Sequence, residues 1–352
     1  MRPSPSRNIG SPQRGVCRKQ AFSMELGCSG MAELIADNIV EIDTQLGGWE
    51  HITAGYLVTG ESPVLIETGS QSSAPLLIAE LNNLGISPSD LAAVVLTHIH
   101  LDHAGGVGDI ARAFPNAKVY VHPNGARHLA DPTRLIDSAS RVYGPLLDSL
   151  YGRLDPTPAD RIIAVEEGDT IQITKGLHLE ALLTPGHAKH HLSLWHEPTG
   201  TMFCGDAVGV KLPEVGILWP ATPPPDFDLE LATRSLDAMK SRTPSHLAFA
   251  HYGRFANAVD ILDEGKDLLR DWCRVAEQAM HDGREIETAL EEAFVPDLKD
   301  LDPLARDRLL TLSGVHANAM GINRWLTKRS GQGQHTPHEH PTRQEGGGGS
   351  GI

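Results

Sequence analysis

The chain has 352 residues, with 30 lysines and arginines against 45 aspartates and glutamates, and a formal net charge of −15. Nucleic acids and anionic membrane surfaces require a basic protein face, so this balance speaks against both as main partners. No uninterrupted apolar run approaches the roughly 18 residues of a membrane-spanning helix. The four cysteines form no CxxC pair, which excludes a dense disulfide framework and a cysteine-based zinc module.

The two ends of the chain differ in composition from its middle. Residues 1–30 are basic, rich in Ser, Pro and Gly, and lack the apolar stretch of a secretory signal. They indicate a disordered extension or an early start codon, with an organelle transit peptide as the more distant alternative. Residues 330–352 indicate a disordered tail or linker, with three histidines at His335, His338 and His340. We expect a main domain at 31–255, a helical region at 256–329, and a cytoplasmic location.

Strand-like and helical patterns alternate in the first half of the main domain. The predicted strands are Ile39–Ile42, Gly55–Thr59, Pro63–Glu67, Leu91–Leu96 and Lys118–Val121. Leucines at helical spacing predict a helix over Ser73–Leu84, which ends at Gly85, and a second helix is expected at 107–114.

Strand-like runs dominate the next part of the chain, and helices follow them. The predicted strands are Arg161–Val165, Thr170–Ile173, Leu177–Leu183, His191–Trp195 and Thr201–Cys204. Helices are predicted at 229–240, at 256–281 and, as one or two elements, at Leu304–Leu326. The chain is therefore expected to be α/β with a helical C-terminal region.

The most informative segment directly follows the buried strand Leu91–Leu96. It places His98, His100, Asp102 and His103 within six residues, followed by two glycines that allow a tight turn. Side chains at i and i+2 of an extended chain point the same way, so His98 and His100 can bind one metal ion. Asp102 and His103, in the turn that follows, can reach a second point a few ångströms away. This pattern indicates a metal site.

Three further polar residues follow apolar runs, each beside a glycine or a proline. They are His187, Asp206 and His251. Each alone is weak, because an isolated histidine at a strand end is more often a hydrogen-bonded core residue. Together with the first segment they complete a set of five histidines and two aspartates without cysteine. Such a set suits borderline ions such as Zn²⁺, with Fe and Mn as competitors.

The HxHxDH motif at 98–103, combined with these three residues, resembles the metallo-β-lactamase-fold superfamily of metallohydrolases. Within it, the chain is most similar to the glyoxalase II-like and lactonase-like branch. The resemblance covers about Ile39 to Gly253 and implies an αββα sandwich, in which two mixed β-sheets face each other with helices outside and the site at one edge. It also implies one metal ion bound by His98, His100 and His187, a second bound by Asp102, His103 and His251, and Asp206 as the bridge between them.

Of two residues near the ligands, one matches the family pattern and one departs from it. His191 follows His187 by four residues, as a histidine does in the PGHTxGH of the glyoxalase II branch. It is either a support for the ligands or a group that faces the substrate. Glu67 departs from the family's LIDTG motif, in which aspartate is usual, and a longer carboxylate would shift the hydrogen bonds around the ligands.

The substrate-binding part of the sequence allows alternatives. Segment 208–228 is rich in proline, and it is either a substrate loop or a rigid packing loop. The candidate substrate-binding residues are His191, Lys211, Trp219, Phe227 and Tyr252, with packing as the alternative for Trp219, Phe227 and Tyr252. The C-terminal helices are expected to supply either a lid or a homodimer face.

The resemblance implies a dinuclear metal-dependent hydrolase. Two divalent ions, Zn²⁺ first, would share a bridging hydroxide that attacks an ester, thioester or lactone bond of a small-molecule substrate. Asp102 and Asp206 are the expected catalytic carboxylates, with Asp206 holding both ions and passing the proton. The alternative is an iron-dependent persulfide dioxygenase on the same fold. Two further alternatives are weaker. No residue pattern in the sequence selects β-lactams, which disfavours a β-lactamase, and the acidic net charge disfavours a phosphodiesterase or nuclease that acts on nucleic acid.

Overall fold

The computed structural model describes residues 30–332, and these contain two mixed β-sheets. The rest of the predicted extension and tail lies outside the described residues, whereas residues 330–332, predicted as the start of the disordered tail, form the end of a helix. The first sheet has seven strands in chain order: β1 (Ala32–Ala36), β2 (Ile39–Asp43), β3 (Ala54–Val58), β4 (Val64–Ile66), β5 (Ala93–Val95), β6 (Lys118–Val121) and β7 (Ile162–Ala164). β1 to β4 pair antiparallel, whereas β4 to β7 pair in parallel.

The second sheet has six strands: β8 (Thr170–Thr174), β9 (Leu177–Leu183), β10 (Leu192–His196), β11 (Thr201–Gly205), β12 (His246–Phe249) and β13 (Arg254–Ala256). Their spatial order is β13-β12-β11-β10-β9-β8. Only the β11–β12 pair is parallel among these neighbours. Since parallel strands end at the same edge, β11 and β12 deliver the residues that follow them to one place.

Alternation along the strands builds an apolar core between the two sheets. In β3, Tyr56 and Val58 belong to a buried cluster that also contains residues of the second sheet, whereas Leu57 belongs to the cluster on the helical side. This is the period of two expected for a strand. The ring of Tyr56 lies 5.2 Å from the ring of Phe203 in β11, so the sheets are in direct contact.

Ten α-helices surround the sheets over the described residues. They are α1 (Ala74–Asn83), α2 (Leu101–Ala104), α3 (Val107–Ala113), α4 (Pro123–Ala130), α5 (Thr133–Tyr143), α6 (Leu229–Lys240), α7 (Ala258–His281), α8 (Ile286–Phe294), α9 (Pro303–Leu312) and α10 (Val315–Gln332). α4 packs on β7 of the first sheet and α6 on β9 of the second, while α1 packs on α3 and α7 packs on α6. The predicted αββα sandwich with a helical C-terminal region is therefore confirmed.

The C-terminal helices continue the core of the second sheet. Trp272 of α7 is fully buried between Trp219, at 5.0 Å between ring centroids, and Phe294 of α8, at 4.7 Å. None of the helices in the described range combines the length and the apolar character that a bilayer crossing requires.

The pH dependence of stability should depend in part on His196, at the end of β10. This side chain is fully buried, and burial lowers its pKa from 6.5 to about 4. The unfolded chain therefore takes up a proton near pH 6.5 while the folded protein does not, so stability is lost as the pH falls from about 6.5 to about 4. We expect His196→Gln to reduce this loss, as measured by urea unfolding across that range.

His281 supplies the matched control, because its side chain is 83% exposed. We expect His281→Gln to change the pH dependence of the free energy of unfolding less than His196→Gln does. Equal pH dependence in wild type and His196→Gln would contradict the assignment.

Candidate metal centre

The first group of polar residues lies where β5 leaves the sheet. Thr97 and His98 continue the strand, His100 precedes α2, and Asp102 and His103 lie within the first turn of that short helix. The change from extended to helical backbone turns Asp102 and His103 away from the direction of the two preceding histidines. A single short segment thereby presents four side chains over one small volume.

The remaining three residues come from the second sheet. His187 follows β9, Asp206 directly follows β11, and His251 follows β12. All three are at most 4% exposed. The structure therefore brings together all seven residues that the sequence placed in the metal site.

Three imidazole nitrogens form the first cluster. Nδ1 of His100 lies 3.0 Å from Nε2 of His98 and 3.0 Å from Nε2 of His187. Ligands at 2.0–2.1 Å from a tetrahedral Zn²⁺ ion lie about 3.3 Å apart. The spacing in this cluster is close to that value, and the three residues can hold one ion.

Asp102, His103 and His251 form the second cluster. Oδ2 of Asp102 lies 3.3 Å from Nε2 of His103 and 3.7 Å from Nε2 of His251. These three residues can hold a second ion, because their ligand atoms lie within 4.8 Å of one another.

Asp206 lies between the two clusters. Its Oδ2 is 3.9 Å from Nε2 of His98 and 3.7 Å from Nε2 of His187 in the first cluster. The same oxygen is 3.5 Å from Nε2 of His103 and 3.3 Å from Nε2 of His251 in the second. One carboxylate oxygen is therefore shared by four imidazoles, as a bridging ligand would be.

Unpartnered polar atoms support the fit of a cation at this place. Within residues 30–332, Nε2 of His103 and Oδ1 of Asp206 are buried without a hydrogen-bond partner. Buried polar atoms are costly unless they are paired, and a metal ion is one way to satisfy them. The cluster is thus arranged as a divalent metal site.

The protonation of the first cluster suits metal binding. Burial, followed by the neighbouring His187 and His190, lowers the pKa of His100 to about 3. Burial together with His103 and His100 lowers the pKa of His98 well below 6.5. Metal ligands must be deprotonated, and these imidazoles are neutral at pH 7.

The carboxylates remain charged in spite of their burial. Burial raises the pKa of Asp206, but His251 and His103 lower it further, and the net pKa lies well below 3.8. Conversely, burial lowers the pKa of His103, while Asp102 and Asp206 raise it well above 6.5. Electrostatic attraction between these groups therefore favours their close approach in the second cluster.

A hydrogen bond at the other ring nitrogen orients three of the histidines. Nδ1 of His98 lies 3.0 Å from Oγ1 of Thr97. Nδ1 of His187 donates to the carbonyl oxygen of Ala221 at 2.9 Å, and Nδ1 of His251 donates to the carbonyl oxygen of Ile52 at 3.2 Å. Such contacts direct Nε2 towards the metal position.

His191 lies against Asp206, and both of its ring nitrogens have protein partners. It is fully buried, its Nε2 accepts a hydrogen bond from the backbone N–H of Asp206 at 3.1 Å, and its Nδ1 lies 2.8 Å from Oγ1 of Thr184. The backbone turn at Asp206 needs Gly205, whose φ is +52°. A Cβ atom there would lie 2.4 Å from Nε2 of His191.

Glu67 is buried at the end of β4, beside the segment that carries His98. Its Oε1 accepts a hydrogen bond from the backbone N–H of Thr97 at 2.9 Å, whereas Oε2 has no partner within residues 30–332. Burial raises the pKa of Glu67 to about 7, although the nearby His103 lowers it. The longer carboxylate thus fixes the chain immediately before the first ligand.

The other candidate substrate residues have varied environments. Tyr252 is half-buried and its ring lies 4.8 Å from the ring of His51, and Nζ of Lys211 donates to the carbonyl oxygen of Gly216 at 2.6 Å. Trp219 and Phe227 are both 3% exposed, and they pack against Trp272 and Trp325. A substrate-binding role for these four residues stays a prediction.

The sequence patterns did not indicate several groups that surround the ligands. The carbonyl oxygens of Ala221 and Ile52 are such groups, since a backbone atom carries no residue signal. His190 is another: its Nδ1 accepts from the backbone N–H of Ile99 at 3.5 Å, and its ring lies 5.7 Å from that of His100. The only sequence signal for a role of His190 near the ligands is its position directly before His191.

Several known proteins are similar to this chain in sequence. A metallo-β-lactamase-fold protein of Sulfurisphaera tokodaii is 31% identical over 207 residues, which span 57% of this chain and 73% of the relative. A hydroxyacylglutathione hydrolase of Aeromonas hydrophila is 32% identical over 36% of this chain and 37% of its own length. A thioesterase of Emericella nidulans is 31% identical over 44% of this chain and 36% of its own. The chain thus matches well under half the length of the two relatives named for an activity.

Structural comparison supports the same fold. The solved structure of an archaeal metallo-β-lactamase superfamily protein from Sulfolobus tokodaii superposes with a TM-score of 0.60 and 24% identity, over 82% of this chain and 99% of that one. The family model described as the metallo-β-lactamase superfamily matches residues 47–251, more than half of the chain. The chain belongs to the metallo-β-lactamase superfamily.

Proposed function

We propose that the protein is a hydrolase that binds two divalent cations, Zn²⁺ first, and cleaves a thioester, ester or lactone bond of a small molecule. The observation that carries the proposal is the shared Oδ2 atom of Asp206, which lies within 3.9 Å of imidazole nitrogens from both clusters. A site for a single ion has no need of the second cluster, whose three residues are all present here.

Two bound divalent cations would lower the pKa of a water molecule from 15.7 towards about 7 and so supply a nucleophile at neutral pH. The chain's own groups prepare this chemistry. His98, His100 and His187 would hold one cation, and Asp102, His103 and His251 the other. Asp206 would join the two positions through Oδ2, while its Oδ1, buried and without a hydrogen-bond partner in the described range, is the atom that could accept a hydrogen bond from the attacking water.

No protein nucleophile is needed for this reaction. Cys204 directly precedes Gly205 and Asp206, but it is fully buried, and burial raises the pKa of its thiol well above 9. A thiol in this state is a poor nucleophile. The site therefore favours attack by water.

The names of two relatives support acyl transfer to water, and thioesters in particular, as the substrate class. One is a hydroxyacylglutathione hydrolase and the other a thioesterase. An iron-dependent persulfide dioxygenase on the same fold is the outcome to test against. Two zinc ions per chain with thioesterase, esterase or lactonase turnover would support hydrolysis. One iron per chain with oxygen uptake on a thiol persulfide would overturn it.

Removing a ligand should abolish turnover and lower bound metal. We expect His98→Ala and Asp206→Asn each to lower kcat/KM by more than about 100-fold, the upper end of the effect of altering a group that only supports a ligand. Metal analysis and a screen of thioester, lactone, aryl ester, phosphodiester and β-lactam substrates provide the measurements. His281→Ala is the control, since that side chain is 83% exposed. Full turnover with intact metal in either ligand variant would show that the site is wrongly assigned.

Gly205 lies too close to His191 to carry a side chain. Replacement by alanine places Cβ 2.4 Å from Nε2 of His191, the atom that receives the Asp206 N–H, and so displaces Asp206. We expect Gly205→Ala to lower metal affinity by about tenfold or more, as measured by chelator competition.

Gly85 provides a matched control, because its φ is +80° and a Cβ atom there would meet nothing within 4 Å. Both variants suffer the cost of a left-handed residue, about 1–2 kcal/mol, but only Gly205→Ala touches the site. Equal metal affinity in the two variants would count against the role given to His191.

A further inference from the structure

The ligand His187 is oriented by a part of the chain far from the strand that carries it. Its Nδ1 donates to the carbonyl oxygen of Ala221 at 2.9 Å. Ala221 lies in segment 208–228, which contains no helix or strand longer than the isolated bridge between Val210 and Trp219. The carbonyl therefore needs support from elsewhere to keep its direction.

Asn318 of α10 bonds to the residues on both sides of Ala221. Its Nδ2 donates to the carbonyl oxygen of Pro220 at 3.2 Å, and its Oδ1 accepts from the backbone N–H of Thr222 at 2.6 Å. Oδ1 also accepts from Oγ1 of Thr222 at 2.8 Å. Asn318 is 1% exposed, so water does not compete with these bonds.

Further contacts hold the same short segment against the C-terminal helices. Oγ of Ser313 donates to the carbonyl oxygen of Pro220 at 2.6 Å, and Nε1 of Trp219 donates to the carbonyl oxygen of Ser313 at 2.8 Å. The backbones are in close contact, because a Cβ atom on Gly321 would lie 1.8 Å from the carbonyl oxygen of Thr222.

The side chain at position 318 must act as donor and acceptor at once. An aspartate would keep the acceptor for Thr222 but lose the donor to Pro220. An apolar residue would leave the buried N–H of Thr222 without its partner, which is costly. Asparagine satisfies both neighbours of Ala221 and fixes the peptide planes between them.

We propose that Asn318 is a positioning residue for the metal ligand His187 and acts through the Ala221 carbonyl. The proposal rests on the metal centre described under the proposed function. It makes α10 a component of the metal-binding unit, in addition to the lid or dimer role expected of the C-terminal helices. Asn318 itself touches neither ligand nor substrate.

The test measures metal affinity in the full chain by competition with a chromophoric chelator for Zn²⁺, and the absorption spectrum with Co²⁺. We expect Asn318→Ala to lower the affinity for one of the two ions by about tenfold or more, as is usual when a group that orients a ligand is lost. His187→Ala identifies that ion, because it removes the ligand itself. The affinity for the other ion should be unchanged.

Leu290→Ala provides the matched control. Leu290 is fully buried in α8, so truncating its side chain destabilises the same helical region. Leu290 is not one of the residues that hold or orient a metal ligand. We expect it to lower Tm while both ions keep their wild-type affinity. Equal loss of affinity in Leu290→Ala and Asn318→Ala would overturn the proposal, as would wild-type affinity for both ions in folded Asn318→Ala.

Two milder variants decide the matter if Asn318→Ala does not fold. Ser313→Ala removes the hydroxyl bonded to Pro220, and Thr222→Val removes the hydroxyl bonded to Asn318. Each variant should lower the affinity for the same ion to a smaller extent. Wild-type affinity in both variants would overturn the proposal. A wild-type chain that bound no ion would overturn the metal centre itself, and this outcome is distinct from the others.

Discussion

The attraction between one buried carboxylate and the imidazoles around it is the interaction on which the site depends. Oδ2 of Asp206 lies within 3.9 Å of nitrogens of four histidines, two of which follow β5 of the first sheet while the others follow β9 and β12 of the second. A buried charge of this kind is strongly unfavourable unless opposite charges accompany it. The two sheets must therefore meet with their site edges aligned, because any shift would leave the carboxylate alone in the protein interior.

The arrangement places different demands on the two clusters. In the first, burial keeps His98 and His100 neutral, so they are ready to bind a cation but do not attract each other. In the second, Asp102 and Asp206 raise the pKa of His103 well above 6.5. Since metal ligands must be deprotonated, protons compete with an ion more strongly in the second cluster than in the first.

Much of the fold and of the ligand set could be predicted from the sequence, for clear physical reasons. The strand Ala93–Val95 lies in the continuous apolar run Leu91–Leu96, which the first ligands follow, and His187 and Asp206 each follow a strand directly after a glycine. Helices α4, α5 and α8 were not predicted, because α4 begins at Pro123 with a glycine in its interior, α5 is rich in polar residues, and α8 is only nine residues long. The supports of His187 and His251 are backbone carbonyls, which no residue pattern marks.

The interpretation of segment 208–228 shows a further limit of sequence patterns. Its prolines and aromatic residues suit a substrate loop or a packing loop equally well, and the contacts of Trp219 and Phe227 with the C-terminal helices appear only in three dimensions. Asn318 lies about one hundred positions away from the residues it supports, since its bond to Thr222 spans 96 positions. Nothing local distinguishes it from any other asparagine in a helix.

The parallel pairing of β11 and β12 has a consequence for where this chain can tolerate insertions. Parallel neighbours cannot be joined by a tight hairpin, so the chain between Asp206 and His251 has to cross back over the sheet, and α6 together with segment 208–228 is that crossover. The same stretch carries the carbonyl that orients His187. Insertions near Ala221 would therefore disturb the orientation of His187, so the length of this crossover is constrained by the metal centre as well as by the sheet.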